Sequence, residues 1–459
     1  MAFKTAVTLF LPAAVAVAYS FDPLRHLSGI APYFEPQDPP TDPAPPQGCT
    51  VDRAAYLVRH AAITANDFDY ETYLGPFIEK LSNTSVSWGQ TAPPLAFLST
   101  YKPPVSEKEE ELVTRDGKLE ATQLGVDLSF RYPGLTIPQR VWSSTAERTV
   151  KSARALIRGL EPGENQINLV QIPESKKAGA DSLTPYSSCP AYSSSTGSDQ
   201  SKQYMKVYTA PILGRLQAQA PGFNWTMNDV VAMQELCGYE TVIRGSSPFC
   251  STDLFSPNEW LGFEYANDIM YFYNTGYGNP TSGVIGFPWL NETMSLLTAD
   301  TASQDLYVSF THRELPPTVA VAMGLFNNTA FSSDGNVNDT MPLNTNNYRR
   351  AWKSSNIFPF LGNVGIERLN CSASYGFDNL KRSSGDIFYR TLWNNAPQQL
   401  PTCADGPGDS CSAQGLQTFL TERADMFAGF SEKCGVTYSN TTDAIRFYNN
   451  NNNGTNVGK

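Results

Sequence analysis

Three short apolar runs along the chain each stop at a charged or histidine residue. Each is followed by a stretch whose apolar positions recur every three or four residues. The first run ends in YLV at 56–58 and stops at Arg59-His60; its length and continuity predict a buried strand over 52–58. In the next segment, DYETYLGPFIEKLS (69–82), Tyr73, Phe77 and Leu81 keep helical spacing across Gly75-Pro76, which predicts a helix with an irregular start. The second unit is RVWSSTAERTVKSARALIRGL (140–160), where Thr145 is placed to cap a helix, Val150, Ala153 and Ile157 share a face, and Gly159 suits a stop. The third is DLYVSFTHRELPPTVAVAMGLF (305–326), a strand ending at Phe310 and a helix starting near Pro316-Pro317, where proline is tolerated. Three strands that each feed a helix predict an α/β fold, with a central mostly parallel sheet flanked by helices.

Residues 185–300 lack this alternation and read as helices and loops, with SSCPAYSSSTGSDQS and the turn-rich GYGNP among them. They predict a smaller α-rich domain inserted into the α/β domain, which then spans 49–184 and 301–448. Upstream, QDPPTDPAPPQ (37–47) holds five prolines and predicts an extended arm within 21–48, so the fold proper is expected to begin near Cys49. The Asn-rich end, 449–459, reads as low-complexity and disordered. The first twenty residues, MAFKTAVTLFLPAAVAVAYS, combine an early Lys4, an apolar stretch too short to span a bilayer, and the small residues Ala16 and Ala18. This is the pattern of a cleaved secretory signal, and no later segment reaches the length of a membrane helix.

Composition agrees with a secretory route. Cys49, Cys189, Cys237, Cys250, Cys371, Cys403, Cys411 and Cys434 form an even, widely spaced set without a CxxC pair. Such a set predicts four disulfides rather than a metal cluster, with the pairing left open by spacing. Sequons occur at Asn83, Asn224, Asn291, Asn327, Asn338, Asn370, Asn440 and Asn453. The protein is therefore expected to be extracellular or held in a cell wall. The formal charge is −11, and −12 without the leader and its Lys4, which argues against nucleic acid or an anionic membrane surface as partner. A low isoelectric point also suits an acidic medium.

In open α/β sheets ligands sit outside the carboxyl ends of the strands. Arg59-His60, Arg148 and His312-Arg313-Glu314 all fall at or just after predicted strand ends. Together they suit a phosphoryl group: arginine to bind its oxygens, histidine to attack phosphorus, a carboxylic acid for the leaving oxygen. Each also has an ordinary reading. A lone histidine at a strand end is, by roughly four to one, a hydrogen-bonded loop residue. Arg148 in a first helical turn can be solvated, and Glu314 near a helix start can offset the helix dipole.

Residues 24–436 resemble the fungal phytase branch of the histidine acid phosphatases, on seven landmarks in matching order. These are HLSGIAPYF (26–34), LVRHAAITAN (57–66) in the place of the signature RHGxRxPT, VTRDGKLEATQLGVDLSFRY (113–132), VWSSTAERTVKSARALIRGL (141–160), SSPFCSTDLFSPNEW (246–260), GYGNPTSGVIG (276–286) and SFTHRELPPTVAVAMGLFN (309–327). The resemblance implies a secreted phosphomonoesterase that needs no metal or cofactor, with a small-molecule substrate bound between the large and small domains. By residue-for-residue carry-over, His60 attacks phosphorus while Arg59, Arg148 and His312 hold the oxygens. The family's usual acid follows the second histidine, where this chain has Arg313. Glu314, one residue on, is similar to the His-x-Glu variant of the inositol polyphosphate phosphatases and is expected to donate the proton. The resemblance also implies the disulfides Cys49–Cys371, Cys189–Cys434, Cys237–Cys250 and Cys403–Cys411.

The signature is altered in its second half. Ala61 replaces the Gly, Ile63 the second Arg, Ala65 the Pro and Asn66 the Thr. An arginine lost from a phosphoryl site removes a charge-assisted interaction of about a few kcal/mol. A second reading follows, a glycosylated binding protein on a phosphatase scaffold with weak or no catalysis. Phosphoryl transfer or isomerisation on the same scaffold is a third. Trp142 lies where many phytases carry a basic residue, which favours a phosphorylated metabolite or sugar over phytate.

Overall fold

The computed structural model describes residues 21–36, 39–160, 167–328, 340–372, 386–439, 441–449 and 455–456. The expected leader, 1–20, lies outside these, as do the sequons at Asn338, Asn440 and Asn453. The strands are β1 (Cys49–Arg59), β2 (Arg140–Ser144), β3 (Asn168–Ile172), β4 (Leu306–Thr311), β5 (Asn363–Cys371), β6 (Asp386–Trp393), β7 (Ala396–Gln398), β8 (Cys411–Ser412) and β9 (Thr455–Asn456). They form one sheet in the order β7-β6-β5-β1-β4-β2-β3-β9, with β8 beside β6. The centre, β1-β4-β2-β3, is parallel, and the outer strands pair antiparallel. The fold is α/β. Its parallel strands are the continuous apolar runs, because helices cover both faces of that part of the sheet.

Register places the chemistry. Arg59 of β1 stands opposite Thr311 of β4, and Ser143 of β2 opposite Phe310. The three strands end level, so the residues that follow them emerge at one edge. After β1 the chain makes a π-helical turn at Tyr70–Leu74 before the helix Gly75–Ser82, the irregular start that Gly75-Pro76 predicts. After β4 the helix Leu315–Met323 starts just before Pro316-Pro317.

After β2 the helix is Glu147–Gly159, and two expectations about it are corrected. Its N-cap is Ala146, without a side-chain cap bond; Glu174 accepts from the Ala146 N–H instead, at 3.1 Å. Thr145 therefore does not serve as the cap. Gly159 is the helix's last residue rather than a stop beyond it. A Cβ there would sit 1.9 Å from the Thr122 carbonyl oxygen, so glycine is required by the close crossing with the helix Arg115–Arg131. In the same helix Gly117 lies against the altered signature: a Cβ would fall 2.6 Å from the Ala62 oxygen and 2.8 Å from the Ala62 nitrogen.

Residues 185–300 contain the helices Ser198–Gln219, Met227–Arg244, Pro257–Asn274 and Ser282–Thr298. The last of them packs closely on Leu315–Met323 of the α/β part, where a Cβ on Gly286 would meet the Thr318 backbone at 2.2 Å. The fold begins before Cys49, because Leu27, Ile30 and Ala31 are buried. The Pro-rich arm is pinned by arginines: Arg131 donates to the Pro43 carbonyl and Arg390 to the Pro43 and Ala44 carbonyls. Both arginines also bind Glu367, a fully buried carboxylate that would otherwise be unpaired. At the other end, Ile445, Phe447 and Tyr448 are buried, and Thr455–Asn456 pairs with β3. Within 449–459, the segment expected to be disordered, Asn449 donates from its N–H to the Arg446 carbonyl and Thr455–Asn456 lie along the outer edge of β3; 450–454 and 457–459 lie outside the described residues.

Disulfides join Cys49–Cys371, Cys189–Cys434, Cys237–Cys250 and Cys403–Cys411. Asn83, Asn224, Asn291 and Asn370 are exposed, and Asn327 is half-buried. No helix among the described residues is long and apolar enough to cross a membrane.

Candidate active site

Arg59, His60, Arg148, His312 and Glu314 line one cavity at the level strand ends, together with Ile63, Asn66, Tyr239, Arg313 and Phe360. All five residues expected at the site are thus brought together. The cavity is small, about 40 Å³, against roughly 300–1,000 Å³ for pockets that enclose a whole small molecule. Its size suits a reacting group rather than a whole small molecule. A larger cavity of about 410 Å³ lies elsewhere, lined by residues such as Val126, Phe130, Ile137 and Leu160. Its one titratable lining side chain is Tyr132, which is already bonded to Glu367, so it holds no comparable chemistry.

His60 is held on three sides. Its N–H donates to the Thr311 carbonyl at 2.9 Å, its carbonyl accepts from Leu361, and the next N–H, of Ala61, donates to Ser152 Oγ at 2.8 Å. Its Nδ1 lies 2.9 Å from the Ala61 carbonyl oxygen. A carbonyl only accepts, so Nδ1 carries the proton and Nε2 keeps the lone pair. The ring is 3% exposed. Burial, followed by the nearby charges of Arg59, Arg148 and His312, pushes its pKa well below the ordinary histidine value. His60 is therefore a neutral nitrogen base surrounded by cations.

Arg59 is fixed by its Nη1, which donates to the carbonyls of Gly29 and Phe358, and it lies over the Phe360 ring at 4.7 Å. Burial and the Arg313 guanidinium push its pKa down to about 10, so it is cationic throughout the acidic and neutral range. Its Nε is buried without a partner, as is Nδ1 of His312. The Arg59 Nε–H is a donor that an anion in the cavity would satisfy. His312 is anchored through Nε2, 2.9 Å from Glu174 and 3.3 Å from Ser144 Oγ. Arg313 turns toward the cavity, and its Nε donates to Glu314 at 3.0 Å. Burial acts to raise the Glu314 pKa, but Arg313 and His312 outweigh it and hold the carboxyl below the ordinary value.

Several members of the site escaped the sequence reading. Glu174 follows β3, a strand whose short apolar run was not recognised; with β3 in place, the strand-end rule would have found it. Glu111 binds Arg148 Nη1 at 2.5 Å, yet it sits in the acidic run EKEEEL, which reads as a solvated face. Tyr239, in the middle of the helix Met227–Arg244, donates to Asp69 and accepts from the Asn66 N–H. Nothing in its spacing marks it out. Burial raises the carboxyls of Asp69 and Glu235 on this side, with Arg313 acting against the rise. Trp142, which lies where many phytases carry a basic residue, is fully buried and stacked on Tyr307 at 5.8 Å. In a strand neighbouring residues face opposite sides, so it says nothing about phytate. The third histidine, His26, pairs with Glu264 at 3.3 Å and stacks on Phe21.

A family model described as the histidine phosphatase superfamily, branch 2, matches residues 50–391. The chain belongs to this superfamily. Within it, the acid phosphatase PHO1 of Komagataella pastoris is 30% identical over 90% of this chain and 86% of its own length. The phytase PHO112 of Candida albicans is 28% identical over 94% and 91%. Among solved structures, the phytase from D. castellii superposes with a TM-score of 0.82 at 24% identity, covering 95% of this chain and 92% of that one. This last likeness shows a common fold. Ile63 is 2% exposed and packed at the cavity wall.

Glu174 supplies a test of the anchor on His312. Burial raises its pKa, but hydrogen bonding and charge from His312, with help from Ser144 and the Ala146 N–H, bring it down to about 2 from 4.5. A depressed carboxyl stabilises the folded state above its unfolded pKa and ceases to as pH falls through the folded one. Glu174→Gln should therefore lower the urea midpoint at pH 7, with the gap to wild type narrowing below pH 4.5 and closing near pH 2. A gap that stays constant down to pH 3 would contradict the anchor. The effect should be modest, because the Glu174 side chain is 32% exposed.

Proposed function

We propose that this phosphoric monoester hydrolase acts in an acidic extracellular or cell-wall medium and works through a phosphorylated His60. The observation that supports the reading best is the neutral His60 ring, its Nδ1 committed to Ala61 and its Nε2 free, in a cavity ringed by Arg59, Arg148, His312 and Arg313. In the first step the Nε2 lone pair attacks phosphorus and the ester P–O bond breaks. The leaving oxygen takes a proton from Glu314, and Arg59, Arg148, Arg313 and His312 hold the non-bridging oxygens as their charge grows. In the second step a water attacks phosphorus, gives a proton to the Glu314 carboxylate, and breaks the P–N bond, so that His60 is regenerated and phosphate leaves.

An acidic medium suits this cycle. Arg313 and His312 hold the Glu314 carboxyl below its ordinary value, and burial with the neighbouring charges holds His60 well below its own, so both groups change protonation state on the acid side of their ordinary values. Arg313 enters the cavity from β4 and brings a guanidinium to a site whose signature arginine is Ile63. The four disulfides and the exposed sequons support the extracellular setting. The cavity admits one phosphoryl group, which is compatible with a phosphorylated metabolite or sugar as well as with an inositol phosphate. The alternative of a weakly catalytic binding protein draws on Ile63 and on the carboxylate that occupies Arg148.

The two readings separate in one experiment, phosphate release from a panel of phosphomonoesters between about pH 3 and 7 by wild type and His60→Ala. The enzyme reading expects turnover on some substrate and a loss of at least about a thousandfold in the variant; equal slow release by both would sink it. On the same panel, Glu314→Gln should slow alkyl phosphates, which have poor leaving groups, more than p-nitrophenyl phosphate. An equal loss on both would assign Glu314 a structural role.

A further inference from the structure

The altered half of the signature is paired backbone to backbone with the loop before the helix Arg115–Arg131. Ile63 and Val113 form an antiparallel bridge. The Thr64 N–H donates to the Leu112 carbonyl at 2.9 Å, Glu111 N–H to Ala65 at 2.8 Å, and Thr114 N–H to Ala62 at 3.0 Å. At one end of this pairing Glu111 has φ 58°, a left-handed conformation that costs a non-glycine residue about 1 kcal/mol or more. Its carboxylate reaches Arg148 Nη1 at 2.5 Å, and its other oxygen lies 3.4 Å from Asn66 Nδ2.

The remaining cations of the cavity are secured differently. Arg59 is held by two carbonyls, His312 by Glu174, and Arg313 by the adjacent Glu314. Arg148 is the cavity cation whose anionic partner comes from a loop fixed by the altered signature. That partner occupies the guanidinium an incoming phosphoryl group would need.

We infer that Glu111 is a built-in counterion of the phosphate site, which holds Arg148 in the empty enzyme and is displaced from it when a phosphoryl group binds. It is a specificity-determining residue that sets affinity for phosphorylated ligands without taking part in bond making. The inference rests on reading the cavity as a phosphate site. Charge-assisted pairs between a guanidinium and either anion are of similar kind, so the ligand gains only the difference between them. Removing the carboxylate charge removes the competitor.

The groups around this pair are known on each side. Arg148 and Asn66 face Glu111, and Glu110 is its charged neighbour, itself close to Glu71, Glu107 and Asp67. His60 and Tyr186 feel the charge of Arg148.

The test is inhibition by inorganic phosphate, together with KM and kcat, in wild type and Glu111→Gln. At pH 6 the variant should bind phosphate about fivefold more tightly or better, and KM should fall by a similar factor while kcat changes less. A fivefold change corresponds to about 1 kcal/mol. Glu111→Asp, which keeps the charge, should stay closer to wild type than to the Gln variant. Should the Gln variant fold poorly, Glu111→Ala gives the same comparison. Unchanged or weaker phosphate binding in the charge-removing variant, with His60-dependent turnover intact in wild type, would overturn the inference and leave the proposed function standing. If wild type neither turns over phosphomonoesters nor binds phosphate, the functional reading falls and the inference falls with it.

Discussion

A buried imidazole among fixed positive charges governs the rest of this site. Taking a histidine out of water disfavours its charged form, and each neighbouring cation disfavours it further. For His60 both effects act together, and the Ala61 carbonyl opposes them only in part. The ring therefore keeps a lone pair under acidic conditions that would protonate an exposed histidine. The cations that keep it neutral are those placed to hold a phosphoryl group. One arrangement thus provides the nucleophile and its electrostatic support, and the level endings of β1, β2 and β4 create it.

Such a concentration of charge has to be balanced, because unpaired like charges at low dielectric repel strongly. The balance comes from separate elements: Glu174 after β3, Glu314 at the start of the helix after β4, and Glu111 from the loop paired with the signature. Backbone carbonyls do the same for Arg59. The altered signature fits this scheme. Ile63 lines the cavity and pairs with Val113 in a local antiparallel bridge, while Arg313 reaches the cavity from the end of the neighbouring strand. The changed residues have a packing logic of their own rather than a gap where an arginine belongs.

Much of the site was legible because it depends on strand ends, and continuous apolar runs mark strand ends well. Arg59, His60, His312 and Glu314 follow from that rule, and Arg148 from the first turn of the helix that β2 feeds. The missed residues depend on contacts distant in sequence. Glu111 and Glu174 act across the sheet edge on partners 37 and 138 residues away, and Tyr239 reaches in from a helix of the inserted region. Thr145 and Gly159 were misread for a related reason. A local rule assigned them capping and stopping roles, whereas the fold recruits Glu174 for the first and uses Gly159 for a helix crossing. Trp142 shows the limit of matching by position: its strand turns the side chain into the core.

The protonation state of His60 is the central claim, and the chain's three histidines make it directly measurable. Nitrogen-15 NMR of histidine-labelled protein, assigned with His26 and His60 variants, reports both tautomer and charge. The account predicts that His60 remains a neutral Nδ1–H tautomer as pH is lowered from about 7 to about 5, past the ordinary histidine pKa. A His60 that titrates near the ordinary value of about 6.5, or that carries its neutral proton on Nε2, would contradict it.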